Sequence, residues 1–433
     1  MVIRLMTAAV TMLILALSPA AARAAESVAI KAGSLIDGSG AAPARNVVIL
    51  VEDGKIKAVG AGLKIPAQTR VIDLTGFTVM PGFIDSHIHL TGRTIGEGEN
   101  WEDASVRDLP QEDAIRGVRN ARLTLEAGFT TVRNVGAGDF SDVALRRMIH
   151  AGVVPGPRIL AAGHSIGSTG GHCDTNGYNP GIFDPDIRVG VADGIDQVMA
   201  SVRYQIKQGA DVIKFCATGG VLSEGDAVGV QQYTLDEMRA IVQAAHLADR
   251  KVAAHAHGTE GIKTATRAGV DSIEHGSMLD DEAIALMKEH GTFLVPTRMA
   301  QEAVEGQAKA GILTGLRAEK ALFIAPRASE SFKKAVRAGV KIALGTDAGV
   351  FTHGTNGHEF TLMVEAGLDP MKAIVAGTSA AAELLGLSHE IGAIKPGYTA
   401  DIVAVKGDPL ADIKLLERVD FVMKDGAVVK ESH

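Results

Sequence analysis

Side chains able to hold a metal ion or move a proton fall at the ends of short β-branched runs in this 433-residue chain. His87 and His89 sit two apart in FIDSHIHL, a spacing that puts both imidazoles on one face of a strand. Lys214 ends ADVIKF, His255 and His257 end VAAHAH, His275 ends DSIEH and Asp347 ends IALGTD. Singly, each has an ordinary structural role: a strand-end histidine as a hydrogen-bonded core residue, an aspartate before Ala-Gly as a turn cap, a lysine as an ion-pair partner. Together they read as a ligand set, because imidazole and carboxylate are what Zn2+ accepts. Lys214 is the puzzling member, since an ammonium is no ligand. Reaction with CO2 would turn it into a carbamate, an anionic carboxylate-like group able to bridge two metal ions. Two divalent cations about 3.5 Å apart supply hydroxide at neutral pH from a bridging water, and the outer one polarises a carbonyl. The chemistry expected is hydrolysis of an amide or ester, with Asp347 accepting the proton and passing it to the leaving amine.

These residues need elements to position them. Six helix-like stretches end on glycine and run into a short β-branched segment: LEAGFTTVRNVG, IHAGVVPGPRILAAG, IKQGADVIKFCATGG, TRAGVDSIEHG, KEHGTFLVPT and VRAGVKIALGTDAG. Gly128, Gly152, Gly209, Gly269, Gly291 and Gly339 suit the left-handed position that stops a helix. Adding TVMPGFIDSHIHL and RKVAAHAHG gives eight strands with helical segments between most of them. The fold class is therefore α/β with a parallel sheet. Eight units are the count of a closed (β/α)8 barrel of the TIM type, with a doubly wound open sheet as the alternative. In a barrel the active site lies at the C-terminal ends of the strands, which would bring the polar strand ends to one rim. Residues 25–80 alternate as short strands with hairpin signals at Asp37-Gly38 and Asp53-Gly54, and residues 389–433 behave likewise. The two segments flank a barrel of residues 81–388 and are expected to meet as one small β-sandwich.

Composition narrows the function classes. With 46% hydrophobic and 22% charged residues the chain is neither disordered nor fibrous. Forty-three basic against fifty-one acidic residues give a net charge of -8 without a basic block, so nucleic acid is not an expected partner. Two cysteines, Cys173 and Cys216, exclude a disulfide framework or a Cys-rich zinc site. Cys216 lies two residues after Lys214 and shares its inward face. Core packing is its expected role, with adventitious metal binding as the alternative. A Cys173–Cys216 disulfide is open to an oxidising compartment and depends on geometry. Residues 1–24, with Arg4, a short apolar stretch and small residues ending in Ala22-Arg23-Ala24, read as a secretory signal peptide. The product expected is soluble, periplasmic or secreted, and free of the membrane once the signal is removed.

From SLIDGSG through PGFIDSHIHL to GAIKPGYTADIVAV the chain resembles the metal-dependent amidohydrolase superfamily, and His-x-His, Lys, His, His, Asp on successive strands is specific for its binuclear branch. The resemblance implies two Zn2+ ions, the more buried one on His87, His89 and Asp347 and the outer one on His255 and His275, bridged by carbamylated Lys214. His257 shares a face with His255 and either displaces it as ligand or, the favoured reading, serves substrate or acid–base chemistry. KFCATGG, VAAHAHG, IEHGSM and LGTDAG resemble the imidazolonepropionase-like peptidases, a group of prolidases, carboxypeptidases and amidohydrolases that cleave ochratoxin A. That implies a small amide or peptide substrate whose α-carboxylate lies near the metals, and a homo-oligomer. Tyr233 resembles the position that holds this carboxylate, against a packing role before Thr234 as a helix staple. His172 and His353 are further substrate-side candidates, although His172 is followed by Cys173-Asp174 where the group often has a second glycine. The alternatives are a cyclic-amide hydrolase or imidazolonepropionase relative, a deaminase, or a binding protein on the same scaffold. Glu97, Glu99, Glu102 and Asp103 lie in a long segment expected to overhang the site, as solvated charge or as a selector of cationic substrates.

Overall fold

The computed structural model describes residues 27–95 and 106–432. The signal read at residues 1–24 and the acidic run Glu97, Glu99, Glu102 and Asp103 lie outside the described residues. The chain opens with four strands, β1 (Val28–Leu35), β2 (Ala44–Glu52), β3 (Lys55–Ala61) and β4 (Arg70–Pro81). Seven parallel strands follow: β5 (Phe83–Ile88), β6 (Phe129–Asn134), β7 (Arg158–Ala161), β8 (Val212–Cys216), β9 (Lys251–Ala256), β10 (Ser272–His275) and β11 (Phe293–Val295). Every described residue of β5, β6 and β8 is buried, as expected for strands covered on both faces. The six helix-ending glycines all have positive φ, between 70° and 114°.

The ring closes through short backbone links. Ile166 bridges to Phe215 between β7 and β8, and the segment 341–348 bridges to Leu294 of β11 on one side and to Ile88 of β5 on the other. This segment is the eighth expected strand, and it differs from expectation in forming no regular ladder. The physical reason is local: Asp347 has φ 62°, so the backbone leaves the extended region at the point where its N–H reaches the His87 carbonyl at 2.7 Å. Closure is kept by hydrogen bonds from Ser86 N–H to the Leu344 carbonyl and from His89 N–H to the Ala348 carbonyl, both 2.8 Å. At the start of the strands Phe83 packs between Phe129 and Phe360, with ring centres 5.6 and 4.8 Å away.

The last strands, β12 (Ile402–Lys406), β13 (Phe421–Lys424) and β14 (Ala427–Glu431), return to the beginning of the chain. They join it in one seven-stranded sheet of order β14-β13-β12-β4-β1-β2-β3, so the small domain of both chain ends is a single continuous sheet. Alternate residues such as Ile30, Ile49, Ile72, Ile402 and Phe421 point into a core of its own. On the opposite face Val403, Val405 and Val422 pack into the barrel cluster. None of the described helices is long and apolar enough to cross a membrane.

One buried acid ties two elements together beside the rim. Thr297, with φ 45°, precedes the helix Arg298–Lys309, whose first N–H groups have no partner within the helix. Glu359, in the helix His358–Glu365, accepts from the N–H groups of Arg298 and Met299 at 2.8 Å each. Burial pushes its carboxyl up to about 7 from an ordinary 4.5, against these two bonds and the Arg298 charge. The folded chain therefore keeps a proton that the unfolded chain releases between those two values, and its stability should fall as pH rises through that window. In Glu359→Gln this part of the slope should vanish, which urea midpoints at about pH 5 and about pH 7.5 would reveal.

Candidate metal centre and active site

The strand ends converge. His87, His89 and Asp347 form one group whose ligand atoms lie within 4.8 Å of one another, and His255, His257 and His275 form another. The Asp347 carboxylate lies 3.5 Å from His87 Nε2 and 3.4 Å from His89 Nε2. The His87 and His275 rings, with centres 5.0 Å apart, set the two groups side by side. Gly345 makes room for this arrangement, because a β-carbon there would come within 2.8 Å of His87 Cβ. Asp347 and His275 both carry positive φ, at 62° and 70°, the kind of backbone strain that persists only where its surroundings over-determine it.

Behind the imidazoles stands a layer of hydrogen-bond partners. His87 Nδ1 lies 2.7 Å from Glu274 Oε2 and His89 Nδ1 lies 3.0 Å from the Gly136 carbonyl. Both partners only accept, so the hydrogen sits on Nδ1 and Nε2 keeps its lone pair. His275 Nδ1 meets Thr297 Oγ1 and His257 Nδ1 meets Ser277 Oγ, each at 2.7 Å. His255 Nε2 is buried with no hydrogen-bond partner among the described residues. Burial holds His89 down to about 4 and His257 down to about 3, and drives His255 and His275 well below the usual imidazole value. A cluster of buried imidazoles with one carboxylate, including an orphaned buried nitrogen, fits divalent metal ions.

Lys214 is buried and makes no hydrogen bond or ion pair among the described residues. Burial lowers its ammonium to about 8, opposed by Glu274 and Asp347 and aided by Arg133. Its charge acts on His89 and Asp347 in one group and on His275 in the other. Asp347 itself is raised by burial, but His87, His89 and Lys214 outweigh this and hold it below the usual carboxylate value.

Sequence reasoning missed the supports. Glu274 precedes the recognised His275, is wholly buried, and pairs with Arg133 at 2.8 Å while accepting from His87. Burial would raise its carboxyl, but Arg133 first, then His87 and Lys214, hold it at about 2. Asp85, in the same run as His87 and His89, accepts from the His87 and Thr346 N–H groups and from Thr346 Oγ1 at 2.6 Å, binding β5 to the segment that ends in Asp347. Glu274, Arg133 and Asp85 each put a charge into a short strand run, but nothing local to the run names the partner that each meets.

Other expected residues fall unevenly. His172 reaches the centre, its ring 4.2 Å from that of His255. His353 is buried beside His89, and burial lowers its imidazole to about 3. Tyr233 does not join them: its hydroxyl donates to the Ala192 carbonyl at 2.8 Å and its ring packs in the core near Phe215, 6.3 Å away. Tyr233 directly precedes the helix cap Thr234, which accepts from Glu237 N–H. Cys216 is likewise no free packing thiol, since it is bonded to Cys173 across a Cα separation of 5.8 Å.

Comparison with known proteins places this geometry. Residues 78–429 match the model of the amidohydrolase family. Ochratoxinase of Aspergillus niger is 34% identical over 427 residues, covering 93% of this chain and 86% of that protein. The crystal structure of a Xaa-Pro dipeptidase with bound methionine in its active site superposes with a TM-score of 0.89 at 42% identity, covering 93% of this chain and 99% of the other. A prolidase complexed with N-methylphosphonate-L-proline gives a TM-score of 0.87 at 31% identity, covering 94% and 100% of the two chains. With its barrel, its two ligand groups and these relatives, the chain belongs to the amidohydrolase family.

Proposed function

We propose that this chain hydrolyses the amide that releases the C-terminal amino acid of a dipeptide or N-acyl amino acid, ochratoxin A-type amides among them, using two zinc ions. The observation that carries the reading is the pair of metal-ligand groups side by side, with buried Lys214 on β8, the strand paired with the one that carries His255. His87, His89 and Asp347 would hold one ion and His255 and His275 the other, with Lys214 reaching both as a carbamate. The orphaned Nε2 of His255 supports its choice over His257 as ligand. Bound there, such ions supply a water acidified to near neutrality and a polarised carbonyl. Asp347, ionised and within 3.5 Å of two imidazoles, is the group placed to take a proton and return it to the departing amine. His257 and His172 line the substrate side, with His353 and Tyr233 as the further substrate-binding residues of the reading.

Three relatives support the substrate class: one is an ochratoxinase, one a Xaa-Pro dipeptidase holding methionine, one a prolidase holding a proline phosphonate. Cyclic-amide hydrolysis or deamination at a single ion ranks second because it leaves Lys214 without a part. From the signal read at residues 1–24 we further propose that the reaction takes place in the periplasm or the medium, and from the group resemblance that the chain is a homo-oligomer.

Four outcomes are expected. Elemental analysis of protein prepared with zinc and bicarbonate should find about two ions per chain. Lys214→Ala should lose metal and, on a panel of dipeptides, N-acyl amino acids and ochratoxin A, amino-acid release as well; one ion per chain with activity indifferent to Lys214 would move the assignment to the second reading. Asp347→Asn should lower kcat by at least about a thousandfold in steady-state assays, even where elemental analysis shows metal retained. Glu274→Gln leaves the Arg133 charge unpaired inside the barrel; calorimetry should show a destabilisation of about 3–5 kcal/mol, and metal titration about 10–100-fold weaker binding.

A further inference from the structure

His172 differs from the other imidazoles of the centre in having no strand beneath it. It sits in the irregular segment between β7 and the helix Gly194–Gln208, a stretch long enough that its conformation depends on what grips it. On one side the grip is polar. His172 Nδ1 pairs with Ser223 Oγ at 2.8 Å, and its N–H donates to Gln232 Oε1 at 3.0 Å. Its ring lies directly over Gly220, where a β-carbon would come within 2.2 Å of it. Ser223 in turn donates to Asp226 at 2.6 Å, and Asp226 pairs with buried Lys320 at 2.8 Å.

On the other side the grip is covalent. The next residue, Cys173, is joined to Cys216, the last residue of β8, which carries Lys214 two positions earlier. Cys173 also packs onto Gly167, where a β-carbon would meet its Cβ at 2.7 Å. One bond thus ties a loop-borne imidazole beside His255 to the strand that carries the lysine. The individual hydrogen bonds around His172 are each worth about 1 kcal/mol, too little alone to hold an exposed-edged loop in one place. Cross-linking residues 43 apart removes that freedom outright.

We propose that the Cys173–Cys216 disulfide is the positioning element that holds His172 over the metal-ligand groups, so that the oxidation state of this pair sets how well the site takes its substrate. The kinetic readout of this inference rests on the amide-hydrolase reading; its structural readout does not. Reduction by a phosphine in water balances as one disulfide, one phosphine and one water giving two thiols and one phosphine oxide. The water supplies the oxygen and both protons, and the phosphine supplies the two electrons.

The test uses the full chain loaded with zinc, before and after phosphine treatment, alongside Cys173→Ser and His172→Ala. Alkylation mapping should find no free thiol in the untreated protein and two after reduction; two free thiols beforehand would overturn the proposal. Reduction and Cys173→Ser should each raise KM for a cleaved dipeptide about tenfold or more, with kcat less affected and metal content unchanged. Reduction should add nothing in His172→Ala, because both act on one contact. An unchanged KM, or an effect of reduction that multiplies in full with His172→Ala, would overturn it. Hydrogen exchange supplies the readout independent of turnover. Amides of residues 167–176 should exchange faster on reduction while the barrel strands do not; unchanged exchange sinks the clamp even in protein that cleaves nothing. A protein that cleaves no member of the panel but shows the faster exchange would refute the proposed activity and leave the clamp standing.

Discussion

The centre depends on one charge pair sealed inside the barrel. Arg133 and Glu274 are both 0% exposed, and such a pair survives only if each hydrogen-bonding group finds a partner. Here they do: Arg133 donates to the Ser86 carbonyl, to Ser272 Oγ and to Glu274, while Glu274 takes the His87 Nδ1 hydrogen with its other oxygen. The pair therefore stitches β5, β6 and β10 together and sets the tautomer of an imidazole in the same act. The Nε2 atoms of His87 and His89 face Asp347 because their Nδ1 atoms are engaged behind them.

A second constraint is the closing segment. A regular eighth strand would carry Asp347 on extended backbone, with its carboxylate set by strand alternation alone. The left-handed turn at Asp347, held by Asp85, Thr346 and the His87 carbonyl, aims it instead at His87 and His89. Closure of the barrel and placement of its carboxylate are thus one piece of backbone.

Much of this was readable in the residues, and the misses have physical causes. The β-branched runs after helix-stopping glycines gave the barrel units, because the left-handed stop and the buried strand each have a strong local requirement. His87, His89, His255, His275 and Asp347 stood out as polar groups ending apolar runs. Glu274 and Arg133 did not, since a buried ion pair joins residues 141 apart and has no local period. The irregular eighth strand was hidden because its departure is dictated by contacts with His87 rather than by its own composition. The Ala192 carbonyl that Tyr233 meets was not legible, because an aromatic before a helix cap looks the same whatever its hydroxyl bonds. The disulfide needed the approach of a loop to β8, which neither cysteine reveals alone.

The seven-stranded sheet has a temporal meaning. β4 takes β1 on one side early in synthesis, but its other neighbour, β12, lies more than three hundred residues downstream. Until the last strands emerge, β4 presents an open edge and the barrel-facing side of the sheet lacks Val403, Val405 and Val422. A nascent chain therefore cannot finish its first-made domain before its last-made residues arrive, and its slowest contacts are its most distant ones. The sheet is thus complete only once β12, β13 and β14 have been made, and its two halves are joined across almost the whole described chain.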